Sequence, residues 1–275
     1  MTRLAFKFGF LGTNYHGFQI QPQSELPTIE GKLFEALKEL GILEDRAAAN
    51  YAAAGRTDRG VHALAQVVSF DTSNTDVTPR MINSMLPDDI WMYAVAKPDS
   101  DFDARRDAVS REYRYFMTSE AELDISGMRD AAELFIGVHD FSNFAYRSET
   151  DSPIREIKRI AIGTKEGRPL VVIIDIEANG FLRKMARKIV AALSIVGSGM
   201  RDRSWIESLL DLRLTEGIMP APAFGLILKN VSYPATKFEV DVYALRRLEA
   251  RLKADLYFHA IQTAVLEEMI GCISQ

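Results

Sequence analysis

Cysteine is almost absent from this chain: Cys272 is the single one in 275 residues. An intrachain disulfide is therefore impossible, which suits a reducing cytosol and makes a cytoplasmic location the expectation. Histidine is scarce too. His16, His62, His139 and His259 are scattered, and no Cys/His group has zinc spacing. Long hydrophobic runs are also lacking. The most apolar stretch, 189 to 196, is far too short to span a bilayer, and the opening residues hold no uninterrupted apolar segment of the signal-peptide kind. A phosphate loop ending in Gly-Lys-Ser/Thr and a Gly-Xaa-Gly-Xaa-Xaa-Gly turn are both missing. These gaps exclude membrane-spanning, disulfide-framework and zinc-finger classes. They give no sign of a metal site or a nucleotide cofactor.

The composition is that of a globular protein, 47% hydrophobic and 26% charged. The length allows a real core in one large or two ordinary domains. A net charge of −5 argues against a general nucleic-acid binder. The charge is unevenly spread, however. From 181 to 203 six basic residues (Arg183, Lys184, Arg187, Lys188, Arg201, Arg203) meet one acidic residue, Asp202, whereas 71 to 103 holds seven acidic residues and two basic ones. That polarity fits a phosphate-binding face opposite an acidic one. It fits a helix with a solvated charged side equally well.

Periodicity predicts a strand over 3 to 11, with Phe6, Phe8 and Phe10 on one face. A helix follows from Ile29 to Leu40, stopped by Gly41. Strands are predicted at 51 to 54, 61 to 71 and 90 to 97, with a short helix between Pro79 and Pro87. The second half repeats this rhythm. A strand covers 111 to 118, and Ser126 caps a helix running to Ile136. A hairpin over 155 to 177 turns at Glu166-Gly167. Helices are predicted over 181 to 196 and 205 to 212, the latter capped by Ser204, and a last strand runs over 223 to 231. Residues 238 to 270 read as a packed amphipathic helix, serving the core or a subunit contact. The pattern predicts an α+β fold with a mainly antiparallel sheet, its two halves sharing a continuous sheet or facing each other across a wide cleft. The divisions expected are an N-terminal domain over 1–100, a second domain over 101–236 and a helical extension over 237–275.

The most informative stretch is Gly55-Arg56-Thr57-Asp58-Arg59-Gly60-Val61-His62-Ala63. It lies on a loop between two strands, where chemistry usually sits. A carboxylate flanked by Arg59 and Arg56 stays ionised, which suits a nucleophile or electrostatic stabiliser better than a proton donor. Taken by itself, Thr-Asp-Xaa-Gly is also ordinary hairpin-turn chemistry.

The full nonapeptide resembles the signature of the tRNA pseudouridine synthase A family, in which the aspartate of Gly-Arg-Thr-Asp-Xaa-Gly-Val-His is catalytic. Four further blocks resemble that family in order and approximate separation. Tyr15-His16-Gly17-Phe18-Gln19 is similar to Tyr-Xaa-Gly-Trp-Gln, with Phe18 for tryptophan. Phe102-Asp103-Ala104-Arg105 is similar to Phe-His-Ala-Arg and leads into Arg111-Glu112-Tyr113-Arg114-Tyr115. Phe181 to Arg187 is similar to Phe-Xaa-Xaa-Xaa-Met-Val-Arg, with Ala186 for valine, and Gly225-Leu226 is similar to a Gly-Leu pair near the active site.

The resemblance spans roughly 3 to 234. It implies an isomerase of uridine in the tRNA anticodon stem-loop, with tRNA as partner and a homodimer holding it. Asp58 is then the catalytic residue and Arg187 its ion-pair partner. Tyr113 stacks on the substrate base, Arg56 contacts the nucleotide or a phosphate, and Leu226 closes an apolar wall. From spacing alone, Tyr113 is equally a core aromatic, Arg187 an exposed helix residue and Leu226 a core leucine. Two other functions are weighed: a non-catalytic RNA-binding protein on the same scaffold, and a glycoside hydrolase pairing Asp58 with Asp103 or Asp140.

Overall fold

The computed structural model describes residues 1–21, 25–119, 121–146, 152–165 and 171–274. Its first part comprises β1 (Thr2–Phe10), α1 (Ile29–Glu39), β2 (Ala52–Ala53), β3 (His62–Thr72), α2 (Pro79–Asn83) and β4 (Ile90–Ala96). Next come β5 (Ser110–Thr118), α3 (Ile125–Ala132), β6 (Gly137–Asp140), β7 (Ile154–Lys165), β8 (Val171–Ala178), α4 (Met185–Gly197) and α5 (Arg203–Leu210). The chain ends with β9 (Leu226–Ser232), β10 (Glu239–Val240) and α6 (Val242–Ile273).

One ten-stranded sheet runs through the molecule in the order β10-β4-β1-β3-β9-β5-β8-β7-β6, with β2 pairing β3. The fold is α+β, and the sheet is antiparallel except where β3 meets β9, through His62 with Ile227 and Ala63 with Leu228. This short parallel seam joins strands from opposite ends of the chain. It sets the loop before β3 beside the turn before β9.

β1 is central and covered on both faces. Leu4, Phe6, Phe8 and Phe10 are buried on one face, and Arg3 and Ala5 are buried on the other. Phe18 packs against Phe8 and Phe10 with ring centroids 6.4 and 6.3 Å apart. A phenylalanine thus fills the place where the resemblance expects tryptophan.

Several helix ends differ from the sequence expectation, at two N-termini because another side chain reaches the free N–H groups first. Asp124, not Ser126, caps α3 by accepting from the Gly127 N–H. The helix stops at Ala132 and tightens into a 3-10 turn over Glu133–Phe135. Asp202, not Ser204, caps α5 by accepting from the Trp205 N–H at 3.2 Å. A carboxylate cap also complements the positive end of the helix dipole. α4 starts at Met185 rather than 181, because Lys184 takes a left-handed conformation (φ 64°) that breaks the helix before it. The last long strand starts at Leu226, after a 3-10 turn over Ala223–Gly225. The hairpin turn at Glu166-Gly167 lies outside the described residues.

The terminal helix, expected to serve either the core or a subunit contact, forms one long element from Val242 to Ile273. Its first turns are tied to the body: the Asp241 N–H donates to the Tyr93 carbonyl, and Arg80 and Asp88 pair with Asp241 and Arg251. Within the helix only Ala244 and Leu248 are buried. Leu256, Tyr257, Phe258, Ile261, Val265, Leu266, Met269 and Ile270 all stand in solvent. The apolar spacing does not serve the core of this chain.

Candidate active site

The Asp58 loop is built from below. Gln66, fully buried on β3, donates its amide to the Gly55 carbonyl at 2.8 Å. Gly60 closes the loop with φ +79°, and the Val61 N–H returns to the Asp58 carbonyl. The Tyr15 to Gln19 block supports the far side. Phe18 N–H donates to the Thr57 carbonyl at 3.1 Å, and a side chain at Gly17 would meet that same oxygen at 3.2 Å.

Arg187, in the first turn of α4, donates from Nη1 to Asp58 Oδ2 at 2.9 Å. The two side chains are 13% and 20% exposed, so the pair is partly withdrawn from water. Arg187 also donates from Nε to the Ala221 carbonyl at 2.7 Å and accepts from the Ala221 N–H at 3.0 Å. A planar guanidinium fixed at two edges orients the carboxylate as well as neutralising it. The neighbours in sequence play no such part: Arg56 and Arg59 are exposed and neither forms an ion pair with Asp58 among the described residues. The cation that holds Asp58 comes from the other end of the chain.

Tyr113 is buried on β5, edge-on to Phe181 with centroids 4.9 Å apart. Burial raises its hydroxyl pKa well above the ordinary 10, and the charge of Asp58 adds to the rise while Arg111 opposes it. Asp58 and Tyr113 are therefore electrostatic neighbours, and Tyr113 is a phenol, not a phenolate, at neutral pH. Tyr115 lies two residues on, on the same face. Leu226 is buried and pairs directly with Tyr115, and Leu228 pairs with Tyr113. Directly opposed residues share a face, so the two tyrosines and two leucines form one apolar wall.

Two residues important to this geometry were given no role from the sequence. Arg111 donates to the carbonyls of Ala54, Ala108, Asn179 and Arg105, tying the entry to the Asp58 loop to β5 and the end of β8. His62 accepts the Gly12 N–H on Nδ1 at 3.2 Å and bonds the Phe224 backbone on its other side. Both lie inside motif blocks, but the blocks do not disclose their roles, because their partners are main-chain carbonyls and amides.

The basic run from 181 to 203 is not one face. Arg183, Lys184, Arg187 and Lys188 gather at the start of α4, whereas Arg201 and Arg203 follow its end. Thirteen helical residues span about 20 Å. Arg183 and Lys184 lie 4.8 and 5.2 Å from the exposed ring of Tyr146. The second acids of the hydrolase alternative are engaged elsewhere. Asp103 accepts from the Arg105 and Arg106 N–H groups, and Asp140 from the Ser142 N–H.

A family model described as tRNA pseudouridine synthase matches residues 8–106 and 131–234. The chain belongs to the tRNA pseudouridine synthase family. Two relatives named tRNA pseudouridine synthase A are similar along their whole length. The protein of Methanosarcina barkeri is 46% identical over 98% of this chain and 99% of its own, and that of Methanococcoides burtonii 45% identical over 97% and 96%. A third, from Archaeoglobus fulgidus, is 42% identical over 94% of each chain. The family match encloses Asp58, Arg187 and Leu226, the strand partner of Tyr115, and the relatives' coverage extends into α6.

Proposed function

We propose that this chain converts uridine to pseudouridine in the anticodon stem-loop of tRNA, with Asp58 as nucleophile. The observation that carries this is the Asp58–Arg187 ion pair set beside buried Tyr113. The reaction breaks the N1–C1′ bond, turns the detached uracil and joins C5 to C1′. N1 gains a proton and C5 loses one. Arg187 holds Oδ2, which leaves Oδ1 to bond the substrate until C5 takes its place.

The target base must first leave its stack, which costs a few kcal/mol in a duplex and less in a loop. Tyr113 offers it a flat platform, and its phenol donates a hydrogen bond or relays the C5 proton while remaining un-ionised. The wall of Tyr115, Leu226 and Leu228 keeps water from the activated sugar, where hydrolysis would leave an abasic site. Exposed Arg56 is placed for a phosphate or for the space the base vacates. The enzyme works in the cytoplasm as a homodimer, with the bare face of α6 as the contact.

A binding-only protein on this scaffold has no use for a carboxylate clamped by an arginine, and the two acids weighed as a hydrolase's second, Asp103 and Asp140, are engaged with their own loops. Tritium release from tRNA labelled at uracil C5 distinguishes the three. The isomerase releases tritium, and Asp58→Asn abolishes release while retaining tRNA binding. Binding without release identifies the RNA-binding alternative, and free uracil identifies the hydrolase.

A further inference from the structure

Phe224 is 74% exposed, against the driving force that buries aromatic rings. Single exposed apolar residues are common. What distinguishes this one is the rigidity of its support. Ala221, three residues before it, exchanges two hydrogen bonds with Arg187. Pro222 accepts from the Tyr115 hydroxyl at 2.9 Å. The backbone of Phe224 itself is bonded to His62, four residues after Asp58. Gly225 permits the tight approach that follows, since a side chain there would meet the Phe116 carbonyl at 2.5 Å and the Tyr115 ring at 2.8 Å. Across the turn, Ala223 lies against Gly60 of the Asp58 loop. Arginine, tyrosine and histidine of the site thus fix the short turn that holds a phenyl ring out in water.

We infer that Phe224 stacks on the tRNA base adjacent to the uridine that leaves its stack. This rests on the function proposed above. Everting one base strips its neighbour of a stacking partner. An apolar ring at the rim of the site replaces that partner, as apolar wedges do in other nucleic-acid complexes. Any base offers a π-face, so the contact supplies affinity without reading sequence. Exposed Arg56 and Arg59 on the adjoining loop supply the charge that a phosphate backbone requires.

The test uses an anticodon stem-loop RNA carrying 2-aminopurine next to the target uridine. Wild-type protein quenches its fluorescence through stacking. Phe224→Ala loses the quench and binds about tenfold more weakly, Phe224→Trp retains both, and the melting temperature of each variant equals that of the wild type. Equal quench and affinity in wild type and Phe224→Ala overturns the inference, as does weakened binding accompanied by a lowered melting temperature. Absence of tritium release from wild type would instead sink the functional proposal, and the fluorescence result still decides the stacking role.

Discussion

Asp58 and Arg187 are 129 residues apart in the chain and 2.9 Å apart in the fold. The short parallel seam between β3 and β9 brings them together, because the Asp58 loop enters one strand and the Arg187-bound turn enters the other. Arg187→Lys keeps a charge but cannot hold both Asp58 and the Ala221 carbonyl in fixed geometry. We expect kcat for tritium release to fall about a hundredfold, the scale of losing one preorganised electrostatic contact. tRNA affinity should change little. A variant with near-normal kcat would mean that carboxylate orientation does not limit the reaction.

Tyr113 is expected to act on the base rather than on tRNA binding. Tyr113→Phe keeps the ring and its edge contact with Phe181 and removes only the hydroxyl. Proton-handling groups are worth about a hundredfold or more. Single-turnover rates should fall by that order while the tRNA dissociation constant stays within about threefold. Equal, large losses in both would remove the hydroxyl from the chemistry.

His62 introduces a pH dependence. Burial pushes its imidazole below the ordinary 6.5, although the bond to Phe224 pulls the other way. The folded protein therefore favours the neutral ring, whose Nδ1 accepts from Gly12. Because the folded value is the lower one, the unfolded chain binds the proton first. The contribution of His62 is complete above pH 6.5 and is lost as pH falls from there towards the folded value. Thermal melts between pH 7.5 and 5 should show a steeper loss in wild type than in His62→Gln, which preserves an acceptor that does not titrate. Parallel curves would rule out His62 as the source.

Much of the frame could be read in one dimension. Alternation located β1 and β4, and Gly41 ended α1 as expected, adopting φ +62°, while Thr28 caps its start by accepting from the Gly31 N–H. The resemblance of the motif blocks pointed to Asp58, Tyr113 and Arg187 and paired the acid with Arg187, as the 2.9 Å contact has it, whereas the loop sequence by itself offered only Arg56 and Arg59. Arg56 and Arg59 are nearer in sequence, yet a loop splays adjacent side chains apart, and only the sheet brings Arg187 in. Caps were misplaced where an acidic residue precedes a serine by two, as Asp124 and Asp202 do, because the carboxylate reaches the same N–H group. Arg111 was silent because it bonds carbonyls, which leave no trace in side-chain patterns.

The bare end of α6 yields the last prediction. From Leu256 to the end of the helix, exposed apolar residues outnumber charged ones, and only Glu267 and Glu268 carry a full charge. A helix apolar around most of its circumference belongs inside an assembly, and exposed apolar patches of this extent mark interaction surfaces. Two copies packing these helices would bury Ile261, Val265, Leu266 and Ile270 against their equivalents. Light scattering should give a dimer mass for the full chain. Placing charge in that seam, with Ile261→Lys and Leu266→Glu together, should give monomers with an unchanged circular-dichroism spectrum, because none of these side chains serves the core. If both subunits grip one tRNA, the monomer should bind tRNA more weakly yet keep its Asp58–Arg187 chemistry, visible as a raised KM with kcat largely retained. A wild-type monomer at working concentrations, or a double variant that remains dimeric, would show that another surface holds the copies together or that none does.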